Sequence, residues 1–115
     1  MTNKTIFEIF KCNTIIYKLI EQQITYPINV AYKILRLKKQ FDEIETLMRE
    51  RWILLFGNDY DETNFNEEQI SVYNTTLQTT IDIDLFQLKI EEVINNEIIK
   101  LTIDEVDFLN DFLIE

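Results

Sequence analysis

INVAYKILRLKKQFDEIETLMRERWILLF, residues 28–56, is the stretch whose reading decides the fold. Apolar side chains recur at Ile34, Leu37, Phe41, Ile44, Met48, Trp52 and Leu55, in steps of three and four. That spacing draws one stripe along an α-helix. Arg36, Lys39, Asp42, Glu43 and Glu50 fall on the opposite, solvated face, and Glu45 stands four residues before Arg49, the favourable order for an ion pair. Pro27 suits the first turn of such a helix, and Tyr26, preceding a proline, is held extended together with Ile24 and Thr25. Gly57 follows the last apolar residue, where a helix commonly ends. At ~1.5 Å per residue the helix spans about 45 Å, so it projects beyond a small core unless another element packs along it.

Toward the N-terminus, the apolar run TIFEIFK over residues 5–11 fits either a strand or the first turn of a helix. Asn13 reads as the cap of a helix that buries Ile15, Ile16, Leu19 and Ile20. Toward the C-terminus, residues 58–66 form a polar loop. A second helix is expected from Asn66 to about Thr79, with Asn66 as cap, Glu67 and Glu68 in its first turn, and Ile70, Tyr73 and Leu77 as its stripe. It is the expected antiparallel partner of the long helix's C-terminal part, and its threonine-rich end points to an early switch to strand. Ile81, Ile83 and Leu85 alternate with Asp82 and Asp84, the pattern of a half-buried strand. Residues 89–95 fit one or two helical turns, and residues 97–101 a short strand. Thr102 with Glu105 forms a capping box ahead of Val106, Leu109, Phe112 and Leu113, which predicts a terminal helix over 103–113. The expected fold is therefore one α+β domain over residues 1–115: helix-dominated, built on a long antiparallel helical hairpin, with a small sheet and a C-terminal helix.

Composition narrows the chemistry. The 115 residues are 46% hydrophobic, enough for a core. No apolar stretch suits a membrane span, and Met1–Lys4 leads into no signal-type apolar region, so a soluble cytoplasmic protein is expected. Cys12 is the single cysteine, so no internal disulfide forms and a reducing compartment fits; the side chain itself reads as a small core residue. Histidine is absent, which removes catalytic triads, Cys–His pairs and the common zinc sites. The single glycine, Gly57, removes glycine-rich phosphate loops. The bias toward Ile, Asn, Lys, Phe and Tyr is that of an A/T-rich genome.

Charge divides the chain. Residues 1–57 carry nine Lys and Arg against six Asp and Glu, whereas residues 58–115 carry two against fifteen, for a net −10. The basic cluster Lys33, Arg36, Lys38 and Lys39 reads as ion-pair partners for the acidic half, because the overall charge repels nucleic-acid phosphate. The excess acid is either a solvated face or a docking surface for a basic protein. Asp104, Asp107 and Asp111, on the terminal helix, are the candidate contacts for such a partner. Trp52 and Phe56 are candidate apolar anchors, although their helical spacing equally suits the core. Asp59 to Thr63 begins like a calcium loop, but Asn64 stands where glycine belongs and Ile70 where a bidentate glutamate belongs. Asp82 and Asp84 share a strand face and could hold a divalent metal, with no third ligand evident. No cofactor is expected.

The order of AYKILRLKKQFDEIETLMRER, a polar loop, YNTTLQTTIDIDL and KLTIDEVDFLNDFLIE resembles small acidic proteins of uncharacterised function encoded by tailed bacteriophages. In those, a long Lys/Glu-rich helix precedes an acidic strand and a terminal helix of the pattern T-x-D/E-x-x-x-L. The likeness covers residues 28–115 and brings no catalytic residues. It implies a viral accessory protein, in the bacterial host cytoplasm or the virion. Three functions follow as expectations: a non-enzymatic binding protein of particle assembly or of the virion, with homo-oligomers as one form; an acidic inhibitor of a host defence or nucleic-acid-processing protein, imitating phosphate; or a metal-dependent enzyme centred on Asp82 and Asp84, the least favoured.

Without a glycine and a bidentate acid at the required positions, millimolar calcium should leave the melting temperature unchanged. A rise of several degrees, reversed by chelator, is the result that would revive both metal readings.

Overall fold

The computed structural model describes residues 2–95 and 98–114. The chain enters as strand β1 (Thr2–Thr5) and turns directly into helix α1 (Ile6–Glu21). The switch falls at Thr5 because its side chain is a cap: Thr5 Oγ1 accepts the Glu8 N–H at 3.1 Å and Glu8 Oε1 accepts the Thr5 N–H at 3.0 Å. This settles the run over residues 5–11 as helix beyond its first residue. It also overturns the expectation that Asn13 caps a helix. Asn13 lies inside α1, and the buried side of that helix is Ile6, Ile9, Cys12, Asn13, Ile15, Ile16 and Leu19. Ile20, expected inside, is 45% exposed.

After Pro27 comes the long helix α2 (Ile28–Phe56), with the bounds the sequence gives it. It ends at Gly57, whose φ of 95° suits a residue without Cβ and whose N–H closes the last turn on the Ile53 carbonyl at 2.8 Å. A 3₁₀ turn at Glu62–Asn64 interrupts the polar loop, and helix α3 (Glu67–Leu77) follows. Asn66 caps it, accepting the Gln69 N–H at 2.8 Å. Strand β2 (Thr80–Ile83), helix α4 (Ile90–Ile94) and helix α5 (Ile103–Phe112) complete the order. The capping box predicted at Thr102 and Glu105 is present, with bonds of 2.8 and 3.1 Å. Residues 98–101 are not strand; Glu97, where that strand was expected to begin, lies outside the described residues.

The architecture is thus helix-dominated α+β with a long antiparallel helix pair and a two-stranded antiparallel sheet. The main partner of α2 is α1, not the helix after the loop: Phe10 meets Trp52 edge-on at 5.7 Å, and Asn13 and Tyr17 both reach Asp42. The α3 helix closes only the far end of α2, where Tyr73 lies 4.7 Å from Trp52 and Phe65 lies 4.5 Å from Phe56. The sequence stripe holds at Ile34, Leu37, Phe41 and Trp52, which are buried, and fails at Leu55, which is half exposed. Ile70, expected on the buried side of α3, is also nearly half exposed, and Thr76 is buried instead.

In the sheet, Thr2 pairs with Ile83, Asn3 with Asp82, Lys4 with Ile81 and Thr5 with Thr80. Ile83, Leu85, Leu88 and Val93 pass beneath the helices and join Ile9, Ile16, Leu37, Phe41, Leu109 and Phe112 in one apolar cluster. Phe41 is fully buried and meets Phe112 edge-on at 6.0 Å, so it joins α2 to α5. Phe41→Ala should therefore destabilise the fold by about 3–5 kcal/mol in chemical denaturation. A loss below about 1 kcal/mol would mean that this contact does not hold α5 in place.

Candidate protein-binding surface

Asp104, Asp107 and Asp111 stand three and four residues apart on α5, so they share one helical face, and all three are exposed. That face borders the first turns of α1. Between the two helices lies an open groove of about 410 Å³ lined by Glu8, Lys11, Asp104, Asp107, Phe108, Asp111 and Phe112. Its floor is aromatic: Phe108 and Phe112 stack at 5.6 Å. Lys11 lies 4.7 Å over the Phe108 ring and Lys4 lies 4.8 Å over Phe112, so both ammonium groups rest on ring faces, and neither pairs with a carboxylate among the described residues. Among the described residues, the four ion pairs are Lys18–Glu105, Lys33–Glu92, Lys38–Asp42 and Arg49–Glu45, and none uses the three aspartates.

Glu105, on the same helix, is already engaged. The Lys18 ammonium, 2.7 Å away, and the Thr102 N–H hold its carboxyl below the ordinary glutamate value. Glu92 is likewise lowered, first by the Lys89 N–H and then by Lys33. Lys33 therefore joins the acidic half, as its sequence cluster suggested. The rest of that cluster behaves differently: Arg36 stacks 4.3 Å from Phe86, Lys38 pairs within its own helix, and Lys39 is exposed.

The two aromatic candidates are held in the fold. Trp52 is 3% exposed and donates its indole N–H to Thr76 Oγ1 at 2.9 Å. Phe56 is half-buried, packed against Tyr60 and Phe65. Trp52 is therefore enclosed in this conformation, while Phe56 stays partly exposed. Asp84 lies past the end of β2, where its carboxylate accepts the Phe86 N–H at 2.7 Å, while Asp82 stays on the exposed strand. In the polar loop, Asp61 accepts from the Thr63 hydroxyl and N–H, which lower its carboxyl. No group of three His, Cys, Asp or Glu with metal-binding geometry occurs among the described residues. Cys12 lies in the core, where burial raises its thiol pKa against the lowering effect of Lys4.

A second cleft, of about 400 Å³, opens between the end of α1 and the start of α2 and is lined by Leu19, Ile20, Ile24, Tyr26, Ala31, Ile34, Leu35 and Lys38. Its polar groups are committed elsewhere: the Tyr26 hydroxyl, pushed up to about 12 by burial, donates to the Val93 carbonyl at 2.8 Å, and Lys38 is held by Asp42. Nothing is left there to orient a ligand.

Sequence reading missed one polar cluster altogether. Asp42, assigned to the solvated face of α2, accepts from Asn13 at 3.0 Å, from Tyr17 at 2.9 Å and from Lys38 at 2.7 Å. Partial burial works to raise its pKa, but the hydrogen bonds from Lys38, Asn13 and Tyr17 outweigh it and hold the carboxyl below its ordinary value. The signal was Asn13 itself, a polar residue among the apolar positions of α1, visible once the helix is started at Thr5.

Comparison with protein-family models, curated proteins and solved structures finds no match to this chain.

Because Asp42, Glu92 and Glu105 bind protons more weakly in the folded chain than in the unfolded one, each stabilises the fold above its unfolded pKa. That contribution is lost as pH falls through the depressed folded values. Thermal melts should hold near pH 7 and decline mainly below about pH 4. Asp42→Ala should lower the neutral-pH melting temperature and flatten the acid decline. A variant with an unaltered acid profile would show that the cluster does not contribute.

Proposed function

We propose that this chain is a non-enzymatic binding protein that meets a basic protein partner through the acidic face of α5. The observation that carries the reading is the set Asp104, Asp107 and Asp111, exposed on one face beside an aromatic-floored groove and outside every ion pair among the described residues. Unneutralised carboxylates on one surface speed encounter with a cationic partner, and the aromatic floor offers contact area to the aliphatic stems of lysine and arginine. The assignment to a bacteriophage, in particle assembly or the virion, rests on the sequence resemblance over residues 28–115.

The test is a charge-reversal series, Asp104→Lys, Asp107→Lys and Asp111→Lys, with association to a lysine-rich peptide and capture from bacterial lysate both measured at low and high salt. Wild-type association should be fast at low salt and slow as the Debye length falls below its physiological ~8 Å. The triple variant should associate more slowly and lose most of that salt dependence. Asp104 sits in the first turn of α5, where a cation opposes the helix dipole by about 0.3–1 kcal/mol, so Asp104→Asn serves as its gentler control. Binding that is unaffected by the full series would reduce the acidic excess to a solubilising surface.

A further inference from the structure

The two-stranded sheet has outer edges, and hydrogen-bond parity shows what they present. The Ile6 N–H donates to the Thr79 carbonyl at 2.9 Å, in register with the β1–β2 pairs. In an antiparallel ladder, bonded pairs alternate with unbonded ones. The bonded pairs are therefore Lys4–Ile81 and Thr2–Ile83. The backbone groups of Asn3 and Thr5 point out from β1, and those of Thr80 and Asp82 point out from β2.

Two side chains occupy part of these edges. On β1, Glu8 takes the outward Thr5 N–H. Beyond β2, the Gln40 side-chain amide pairs with both backbone groups of Asp84: its Oε1 accepts the N–H at 3.0 Å and its Nε2 donates to the carbonyl at 2.9 Å. Gln40 thus imitates one residue of a neighbouring strand. Thr80 and Asp82, both exposed, carry no hydrogen bond on their outward N–H and C=O groups among the described residues.

From this juxtaposition we infer that the outer edge of β2 at Thr80 and Asp82 accepts an extended, basic peptide segment by strand addition. Main-chain bonds would set the segment's register, and side-chain alternation its composition. Asp82 is exposed on the solvated face, with Asp84 just beyond it, so residues opposite this face are lysine or arginine. Ile81 and Ile83 point to the other face, which favours apolar residues between the cations. A second copy of this chain is a poor occupant: antiparallel pairing of two β2 edges would bring the Asp82 carboxylates of two chains of net −10 close together. The edge is separate from the α5 surface, and either can fail without the other.

The probe is a hexapeptide of alternating lysine and valine, titrated into the intact chain with amide exchange read residue by residue. Exchange should slow at Thr80 and Asp82 and stay unchanged at Ile81 and Ile83, which are already in the ladder. Asp82→Pro deletes the outward N–H and leaves every β1–β2 bond in place, so it should weaken binding by about tenfold beyond Asp82→Asn, which removes only the charge. Equal affinity in the two variants would overturn the inference. So would protection confined to residues 104–111, which assigns the peptide to α5, or concentration-dependent dimers by light scattering that slow the same two amides without peptide. If Asp82→Pro loses its circular dichroism, the wild-type exchange pattern alone decides: no slowing at Thr80 and Asp82 at saturating peptide refutes the edge.

Discussion

The bond from Asn13 to Asp42 fixes how α1 lies on α2, and most of the molecule follows from that contact. Asn13 is 1% exposed, and its amide reaches the carboxylate of Asp42 at 3.0 Å. A shift of one helix by a turn would leave the buried Asn13 amide unsatisfied, at a cost of about 1–3 kcal/mol, whereas apolar side chains would tolerate the slip. The Asn13 Oδ1 has no hydrogen-bond partner among the described residues, so the network is only half satisfied on that side. Turning the amide over would set its oxygen against the carboxylate, so the present orientation is the better one. With this register set, Phe10 lands on Trp52 at one end of the pair, and the chain between α1 and α2 folds back over Leu19 and Ile34 at the other.

That register also explains why so much acid stays on the surface. Only Lys18–Glu105 and Lys33–Glu92 join the basic half to the acidic half among the described residues. Five of the other seven N-terminal cations are drawn into contacts of their own: Lys38 to Asp42, Arg49 to Glu45, Lys4 and Lys11 onto phenylalanine rings, Arg36 onto Phe86. Exposed ion pairs contribute roughly 0–1 kcal/mol each, so little drives further neutralisation. The acidic face of α5 and the outer edge of β2 at Thr80 and Asp82 are among the surfaces that the packing leaves uncommitted.

The caps and the long stripe were legible because they depend on neighbours in the chain. The Asn66 cap, the Thr102–Glu105 box and Gly57 after Phe56 are read within four residues, and each was found where the sequence put it, whereas the Gln69 half of the Asn66 box was not read. Thr5 and Glu8 carry the same signal, yet the apolar run around them left strand and helix open, and Asn13 took the cap that belonged to Thr5. The acidic trio of the candidate surface was legible for the same local reason: three residues at helical spacing on a helix whose start was known.

The sequence by itself determined the helix-dominated α+β class, the bounds of α2, the capped terminal helix and the acidic excess of the second half, because periodicity, capping and charge are local properties of the chain. Tertiary structure decided that α1 and not α3 is the main partner of α2, that Asp42 reaches across to Asn13 and Tyr17 of α1, and that Trp52 is enclosed by Phe10, Tyr73 and Thr76. It also decided that β2 pairs with residues 2–5, which leaves the edge at Thr80 and Asp82 open. Each of these is a choice between surfaces of equal local merit. Such choices are made by which long-range pairing buries the most apolar area while leaving the fewest polar groups alone.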